Sequence, residues 1–259
     1  MSTYGRKKVF FYALIALIVP AMGADEKQSV FNLAEHFFND SLYISAADRY
    51  QTYIDLSHNS LKQNPENCPT AYYKIALCYF RTSNFSRAAA AFEEFVRLFP
   101  QDRNAVDALL QAGNAYKSLA DYKNASESFF RVWGRGQGKL FAQNALFESA
   151  VCAEKDGDNE RAAMLYDRYV SKFSGKEKSP EASLSLVKAL IRQKDFAKAS
   201  TVLAKTEKQW SADGQLFARA LFYKAKLAHM LQKNENALRF YSALMNQALD
   251  FPEKEQALT

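Results

Sequence analysis

Residues that interrupt regular structure are scarce in this sequence. Its 259 residues include nine glycines and six prolines, which is too few for a turn-rich all-β fold or a disordered linker protein. The apolar content of 48% is that of an ordinary folded chain. Together these features predict a folded protein with few breaks in its regular elements.

Groups that could carry chemistry are also few. Three histidines stand at positions 36, 58 and 229, without an HExxH motif, a histidine–carboxylate cluster or a nucleophile elbow. The stretch Gly134 to Lys139 has three residues before its Gly-Lys pair, fewer than a phosphate-binding loop needs. Asp156 to Glu160 is too short for a calcium-binding loop of about 12 residues. We therefore expect a non-catalytic protein with no cofactor and no metal site.

Cysteine is equally sparse. The three cysteines, Cys68, Cys78 and Cys152, cannot all pair within one chain. Cys68 and Cys78 lie ten residues apart, which is too far along a helix for disulfide geometry. Cys78 and Cys152 occupy equivalent positions in non-adjacent units of the repeat described below. We expect three buried or half-buried free thiols.

The basic excess is partly confined to the N-terminus. The formal charge is +6, and Arg6, Lys7 and Lys8 supply three of these charges within the first 23 residues, which contain no acid. The remainder of the chain carries +3. This mild excess does not predict a nucleic-acid partner.

The first 23 residues have the organisation of a secretory signal peptide. The basic triplet precedes an apolar run of 11 residues from Val9 to Val19, then Pro20, then Ala21 and Gly23 at the −3 and −1 positions of a cleavage site before Ala24. This run is short against the roughly 20 residues of a membrane-spanning helix. Cleavage and a periplasmic location are therefore predicted, with retention as a membrane anchor as the open alternative. No cysteine follows the run, so no lipid attachment is expected.

A repeat runs through the rest of the chain. Alanine recurs at intervals of 42, 37, 37, 37 and 38 residues, at Ala46, Ala88, Ala125, Ala162, Ala199 and Ala237. In each unit an apolar pattern near i, i+3, i+4 and i+7 precedes this alanine, and a second apolar pattern contains it. Short polar turns separate the two patterns. Each unit thus predicts two amphipathic helices, called here the first and the second helix, that approach closely at the alanine.

One such pair cannot bury its apolar face alone, so the pairs must stack. We predict an all-α solenoid of about six helix-turn-helix repeats that forms a right-handed superhelix. Residues 1–23 are assigned to the signal peptide and residues 24–252 to the array. The repeats are placed near 27–64, 69–104, 105–141, 142–179, 180–214 and 216–252, and residues 253–259 begin a further helix or a truncated repeat.

The repeated positions resemble the tetratricopeptide-repeat family. The best-matched unit carries Tyr72, Ile75, Ala76, Tyr79, Ala88, Phe92, Phe95 and Pro100 at the family's characteristic places. The resemblance covers Val30 to Leu249 and implies the fold, but it does not imply one particular function. The helix ending Phe95 to Pro100, in an exported chain, is similar to two bacterial envelope types. These are the lipoprotein of outer-membrane β-barrel assembly and the periplasmic coordinator associated with the Tol-Pal system. This chain lacks the lipid-attachment cysteine of the former and the N-terminal coiled coil of the latter.

The family resemblance implies that the first helices line a concave face. One step after the core residue of each first helix the sequence has Phe31, Tyr73, Leu110, Phe147, Leu184 and Phe222, which are all large and apolar. Seven residues further, Phe38 and Phe80 extend this surface at its N-terminal end. Asn114 alone matches the amide and cationic positions at which some family members clamp a C-terminal carboxylate, so that role is not expected. The ladder predicts either a peptide-binding groove or a buried seam between repeats, and both interpretations stay open.

We therefore expect a protein-interaction scaffold of the bacterial cell envelope, with a peptide or protein partner and no nucleic acid. A peripheral place on a membrane complex fits this expectation, and the sequence leaves the oligomeric state open. The alternative is the N-terminal repeat module of a larger envelope assembly protein, because Phe251 to Thr259 has the pattern of the start of another unit.

The signal segment generates the first prediction. Expressed in a bacterium with its own N-terminus, the chain should be recovered from an extracytoplasmic fraction with Ala24 as its first residue, because the order of basic, apolar and small residues is that of a cleaved signal. Fractionation and N-terminal sequencing measure this. Full-length chain in the cytosol would show that the segment does not direct export.

Overall fold

Twelve α-helices make up the part of the chain that the computed structural model describes, which comprises residues 24–58, 67–136, 140–206 and 214–245. No strand occurs within these ranges. The helices are α1 Ala24–Asn39, α2 Tyr43–His58, α3 Cys68–Arg81, α4 Phe85–Leu98, α5 Ala105–Ser118, α6 Tyr122–Arg135, α7 Leu140–Asp156, α8 Asn159–Lys172, α9 Ser179–Arg192, α10 Phe196–Thr206, α11 Gly214–Met230 and α12 Asn234–Met245. The predictions for residues 1–23 and 253–259 fall outside the described residues. None of the described helices combines the length and the apolar character needed to cross a membrane.

The helices form two compact units, residues 1–105 and 106–259. In the first unit, α2 packs against α1 and α3, and α3 packs against α4. In the second unit, each helix from α6 to α12 packs against the next, and α9 also contacts α11. Packing between sequence neighbours is the defining property of a solenoid. The predicted all-α repeat architecture is therefore confirmed, whereas the handedness of the superhelix stays a prediction.

The recurring alanines hold the paired helices together. All six alanines predicted to anchor the repeats are buried, and so are Tyr50, Phe92, Phe129, Tyr166 and Leu203, which follow them by four residues. A small side chain at one place and a large one a turn later let two helices interlock at short distance. The equivalent Tyr241 of the sixth repeat is only half-buried. The alignment of the repeats read from the sequence therefore describes the core of the first five repeats correctly.

One close contact in the second unit explains a glycine. A Cβ atom added at Gly113 on α5 would lie 2.8 Å from Cε1 of Phe129 on α6. Real carbon atoms do not approach so closely, so the backbone of α5 can rest on this ring only without a side chain at residue 113. The glycine therefore allows the aromatic residue of this repeat to pack directly on the first helix.

A left-handed residue turns the chain between the two helices of every repeat. Five positions before each anchoring alanine, the backbone has a positive φ angle, at Ser41, Ser83, Ala120, Gly157, Lys194 and Gln232. The next residue directly precedes the second helix. In four repeats its side chain accepts a hydrogen bond from the backbone N–H three residues later: Asn84, Asp121, Asp158 and Asp195. These are helix N-caps. The acidic stretch around Gly157 is thus a capped turn.

The turn generates a pair of opposite predictions. Gly157→Ala should lower the free energy of unfolding by about 1 kcal/mol, because a Cβ atom strains a left-handed backbone. Ala120→Gly should raise it by about 0.5–1 kcal/mol at the equivalent place. Both are measured by denaturant unfolding.

Gly134 on α6 supplies the control. It has ordinary helical backbone and open space around it, so Gly134→Ala should leave stability unchanged or raise it by up to about 1 kcal/mol. Equal effects of alanine at positions 134 and 157 would contradict the role of the left-handed turn.

Candidate functional site

The first unit presents half-buried aromatic rings on its first helices. Phe38 lies near the end of α1, and Tyr73 and Phe80 lie one above the other on α3, each with part of its ring accessible. We call these three residues the aromatic surface. Its members were predicted from the repeat positions alone, and the structure leaves all three partly open to a partner.

Buried rings of the second helices support this surface from below. The Tyr73 ring is 5.4 Å from that of Phe95 and 6.1 Å from that of Phe92, and the Phe80 ring is 6.4 Å from that of Phe92. Phe38 meets Tyr50 at 6.5 Å with a steep angle between the rings. Edge and tilted contacts of this kind are favourable for aromatic pairs. The accessible rings are therefore held in place by the core.

A charged group lies beside the aromatic surface and joins three helices. Lys74 Nζ on α3 is 2.6 Å from Glu35 Oε2 on α1 and 4.6 Å from the Phe38 ring centre. The hydroxyl of Tyr50 on α2 donates to Glu35 Oε1 at 2.5 Å. Burial, together with this hydrogen bond to the carboxylate, raises the pKa of Tyr50 above its ordinary value. The hydroxyl therefore stays protonated and keeps its role as donor.

The second unit repeats this arrangement. Tyr166 on α8 donates to Glu154 Oε2 on α7 at 3.0 Å, and Lys188 Nζ on α9 is 2.7 Å from Glu154 Oε1. Burial and the neighbouring Glu154 carboxylate raise the pKa of Tyr166. We call each set, Glu35–Tyr50–Lys74 and Glu154–Tyr166–Lys188, a tyrosine–carboxylate–lysine triad. Each triad ties one helix pair to the first helix of the next pair.

Elsewhere the predicted ladder divides into accessible and buried members. Leu110 and Asn114 on α5 are half-buried. Four members have buried side chains: Phe31, Phe147, Leu184 and Phe222. These four belong to the core, which corrects the expectation that they would face an open groove. Leu110, Asn114 and the three residues of the aromatic surface keep the exposure that partner binding requires, and their binding role stays a prediction.

Ring contacts and lysine side chains cover two of these residues, Phe147 and Phe222. Phe147 packs edge-on against Tyr166 and Tyr169, and Lys178 Nζ lies 4.8 Å from its ring centre. On α11, Lys226 Nζ lies 5.6 Å from the centre of the Phe222 ring. The aliphatic stem of a lysine covers apolar surface while its ammonium group stays in water. In the second unit these two aromatic positions are therefore closed by the protein itself.

Comparison with known families decides the identity of the fold. Models of the tetratricopeptide repeat match residues 70–102 and residues 103–180, in step with the repeats described above. Residues 70–180 of this chain are tetratricopeptide repeats. No curated protein matches its sequence.

Two solved structures illustrate the similarity of fold. YrrB, a tetratricopeptide-repeat protein with an unusual peptide-binding site, is 20% identical over 78% of this chain and 95% of its own, with a TM-score of 0.54. The Naa15/Naa10 complex bound to HypK-THB is 14% identical over 90% of this chain and 38% of the matched one, with a TM-score of 0.60. At these identities the likeness shows the fold alone.

The cysteines of this tetratricopeptide-repeat protein are free and buried, as predicted. Burial raises the pKa of Cys78 to about 12 and that of Cys152 to about 11. Both thiols therefore stay protonated and unreactive near neutral pH, because the thiolate is the nucleophilic form. Within the described residues, no three histidine, cysteine or acidic side chains lie close enough together to hold a metal ion.

The triads were missed from the sequence, although a signal for them exists. Their tyrosines occupy the position four residues after the anchoring alanine, where the two intervening repeats have Phe92 and Phe129. In both cases the preceding first helix carries a glutamate that reaches the hydroxyl. At Tyr50 and Tyr166 a tyrosine at this position thus goes with a glutamate on the preceding helix, whereas Tyr241, at the same position of the sixth repeat, follows a helix without an acidic residue.

The first triad generates a prediction about coupling. Tyr50→Phe and Glu35→Ala should each destabilise the protein, and their effects should depend on one another by about 0.5–1.5 kcal/mol, because the first removes the donor and the second the acceptor of the same hydrogen bond. Unfolding of the two single variants and the double variant measures this coupling. Strictly additive effects would show that the bond contributes nothing to stability.

Proposed function

We propose that this protein is a non-catalytic scaffold that binds a peptide or protein segment of a partner at the aromatic surface. The observation that carries the proposal is the partial exposure of Phe38, Tyr73 and Phe80 above a fixed aromatic core. Large rings held in one orientation lose little side-chain entropy on binding. They can therefore act as anchors for apolar side chains of a partner.

The charge of this surface narrows the kind of partner. Lys74 beside the Phe38 ring is already paired with Glu35, so the pair offers little net charge to an ionic ligand. The accessible groups are mainly aromatic, which suits an apolar or amphipathic segment better than a small polar molecule. YrrB, which shares the fold, has a peptide-binding site, and this is consistent with the same class of ligand here.

The proposal includes a location in the bacterial cell envelope. Its support is the order of basic, apolar and small residues in the first 23 positions. A scaffold exported in this way would meet partners among periplasmic proteins and the periplasmic parts of membrane complexes. The fractionation experiment described above tests this location separately from binding.

Substitution at the aromatic surface tests the binding role. The double variant Tyr73→Ser/Phe80→Ser should recover a specific partner from an envelope extract at least about tenfold less well than wild type, because it removes two anchors of the kind that dominate binding energy. Since both rings are half-buried, we also expect stability to fall by roughly 1 kcal/mol per ring. Quantitative mass spectrometry of purified complexes, carried out below the melting temperature, measures the recovery.

Ile44 provides the matched control. It is an apolar residue of the same unit that is 79% exposed on a second helix, so Ile44→Ser should leave both the recovery of the partner and the melting temperature unchanged. Equal recovery by the wild type and the double variant would rule out the aromatic surface as the binding site.

A further inference from the structure

A cleft recurs on the surface formed by the second helices. In each of three places it lies between a second helix and the end of the following helix pair's first helix. The first is lined by α2, α3 and α4, the second by α6, α7 and α8, and the third by α10, α11 and α12. Four equivalent positions of the following helix pair and one of the preceding second helix line all three clefts, whereas Lys224 and Phe240 stand at positions that line only the α10–α12 cleft among the three.

The three clefts differ in charge. The α2–α4 cleft has Asp48 and Arg87 at its edge, which balance each other. The α6–α8 cleft has three acids against two bases among its lining residues: Glu127, Asp156, Asp158, Lys123 and Arg161. The α10–α12 cleft has Lys224 and Lys233 and no acid among the described residues that line it. It is therefore the basic member of the set.

Individual positions show how this change arises. The places that Asp156 and Asp158 occupy in the α6–α8 cleft are taken by Leu231 and Lys233 in the α10–α12 cleft. Two acids are thus replaced by an apolar and a basic residue. Helix formation does not favour this exchange, because four other repeats have a capping Asn or Asp at the place of residue 233, although the first has Leu42. A cation at a helix N-terminus is also unfavourable.

The floor of the α10–α12 cleft is apolar. Leu203, Leu227 and Ala228 are buried beneath it, and Leu231 is partly exposed at its edge. The Phe240 ring lies alongside, with Lys224 Nζ 5.7 Å from its centre. The cleft measures about 230 Å³, which is less than the roughly 300 Å³ and more of pockets for small-molecule ligands. A single large side chain of a partner suits this size.

The surrounding helices extend the basic character. Residues 179–206 and 214–245 contain ten lysines and arginines and three acids, whereas residues 24–58 contain two basic and six acidic residues. An excess of one sign around a cleft attracts ligands of the opposite sign and raises their association rate. The apolar floor additionally favours a ligand with an apolar group, which nucleic-acid phosphates and lipid headgroups lack.

From these observations we propose that the α10–α12 cleft is a second docking site, which takes an acidic protein segment carrying one large apolar residue. The apolar side chain enters the cleft above Leu203 and Leu227, and carboxylates on either side of it face Lys224 and Lys233. This site lies on other helices than the aromatic surface and has different chemistry. A scaffold with both sites would hold two partner segments.

A defined peptide tests the proposal with the full chain. The probe is a fluorescein-labelled peptide with one phenylalanine between two blocks of glutamate, titrated at low ionic strength and followed by fluorescence anisotropy. Lys233→Asp should weaken binding about three- to tenfold, because it replaces an attraction by a repulsion. Its melting temperature should not fall, since Asp is a favourable N-cap.

Matched controls separate this site from general charge effects. Lys123→Asp makes the same charge change at the edge of the α6–α8 cleft and should leave affinity within about twofold of wild type, because a distant exposed charge is screened. Peptides with Gln for every Glu, or with Ala for Phe, should bind more weakly than the probe. Tyr73→Ser should bind the probe normally, which distinguishes this site from the aromatic surface.

Three results would overturn the proposal. The first is equal affinity of Lys233→Asp and wild type for the probe. The second is equal binding of the acidic peptide and its Ala or Gln counterpart. The third is displacement of the probe by single-stranded DNA, or by vesicles containing anionic lipid, at concentrations below those of unlabelled peptide, since either would identify a different class of partner.

Discussion

The close approach of two helices at a buried alanine is the contact on which this structure depends. Ala88, Ala125 and Ala162 have no accessible surface, so the partner helix rests directly on the backbone at these points. The short distance brings the aromatic residue one turn later into the space between repeats, where a buried ring contributes a large apolar area. On α5, the Phe129 ring leaves no room even for a Cβ atom at residue 113. The repeats stack as a consequence, because one face of each of these rings is not covered within its own helix pair and has to pack against the neighbouring pair.

The same contact explains what could be predicted from the sequence. The alanine spacing located every helix pair, since close packing permits only a small residue and therefore leaves a periodic mark. It did not reveal which apolar side chains stay accessible. Phe147 and Tyr73 hold the same repeat position. Lys178, which directly precedes α9, covers the Phe147 ring, whereas the Tyr73 ring stays partly exposed. Burial at such a position depends on which side chains of the same or the adjoining repeat reach it, as Lys226 reaches Phe222 on its own helix, and that reach cannot be read from spacing.

Polar side chains between repeats obey a stricter rule than apolar ones. Glu154 is largely buried between α7, α8 and α9. Its carboxylate accepts a hydrogen bond from the Tyr166 hydroxyl and pairs with the Lys188 ammonium group. A partly buried carboxylate that lost either partner would keep the cost of leaving water without the compensating bond. The two triads are therefore all-or-none sets, and the tyrosine, the acid and the lysine can be expected to change together. Such a set restricts which repeat can follow another, because the next repeat must supply the lysine. Apolar contacts, in contrast, tolerate many neighbours of similar volume.

The clefts on the second helices lie outside these constraints. Their edge positions are exposed at Asp156, Asp158, Leu231 and Lys233, so the core does not dictate what stands there. Asp158 and Lys233 both stand at the N-cap position of a second helix, where a side chain that accepts a hydrogen bond is preferred. Asp158 caps its helix in this way. Lys233 departs from that preference, as Leu42 does in the first repeat, and the core alanines Ala46 and Ala237 are buried in both repeats. Lys233 goes further than Leu42 because it places a cation at a helix N-terminus. A local rule broken in this way where packing is intact points to a demand other than folding. In this protein, Lys233 lies beside an apolar floor and within an excess of positive charge. A partner segment with one large apolar residue and flanking carboxylates would complement both features.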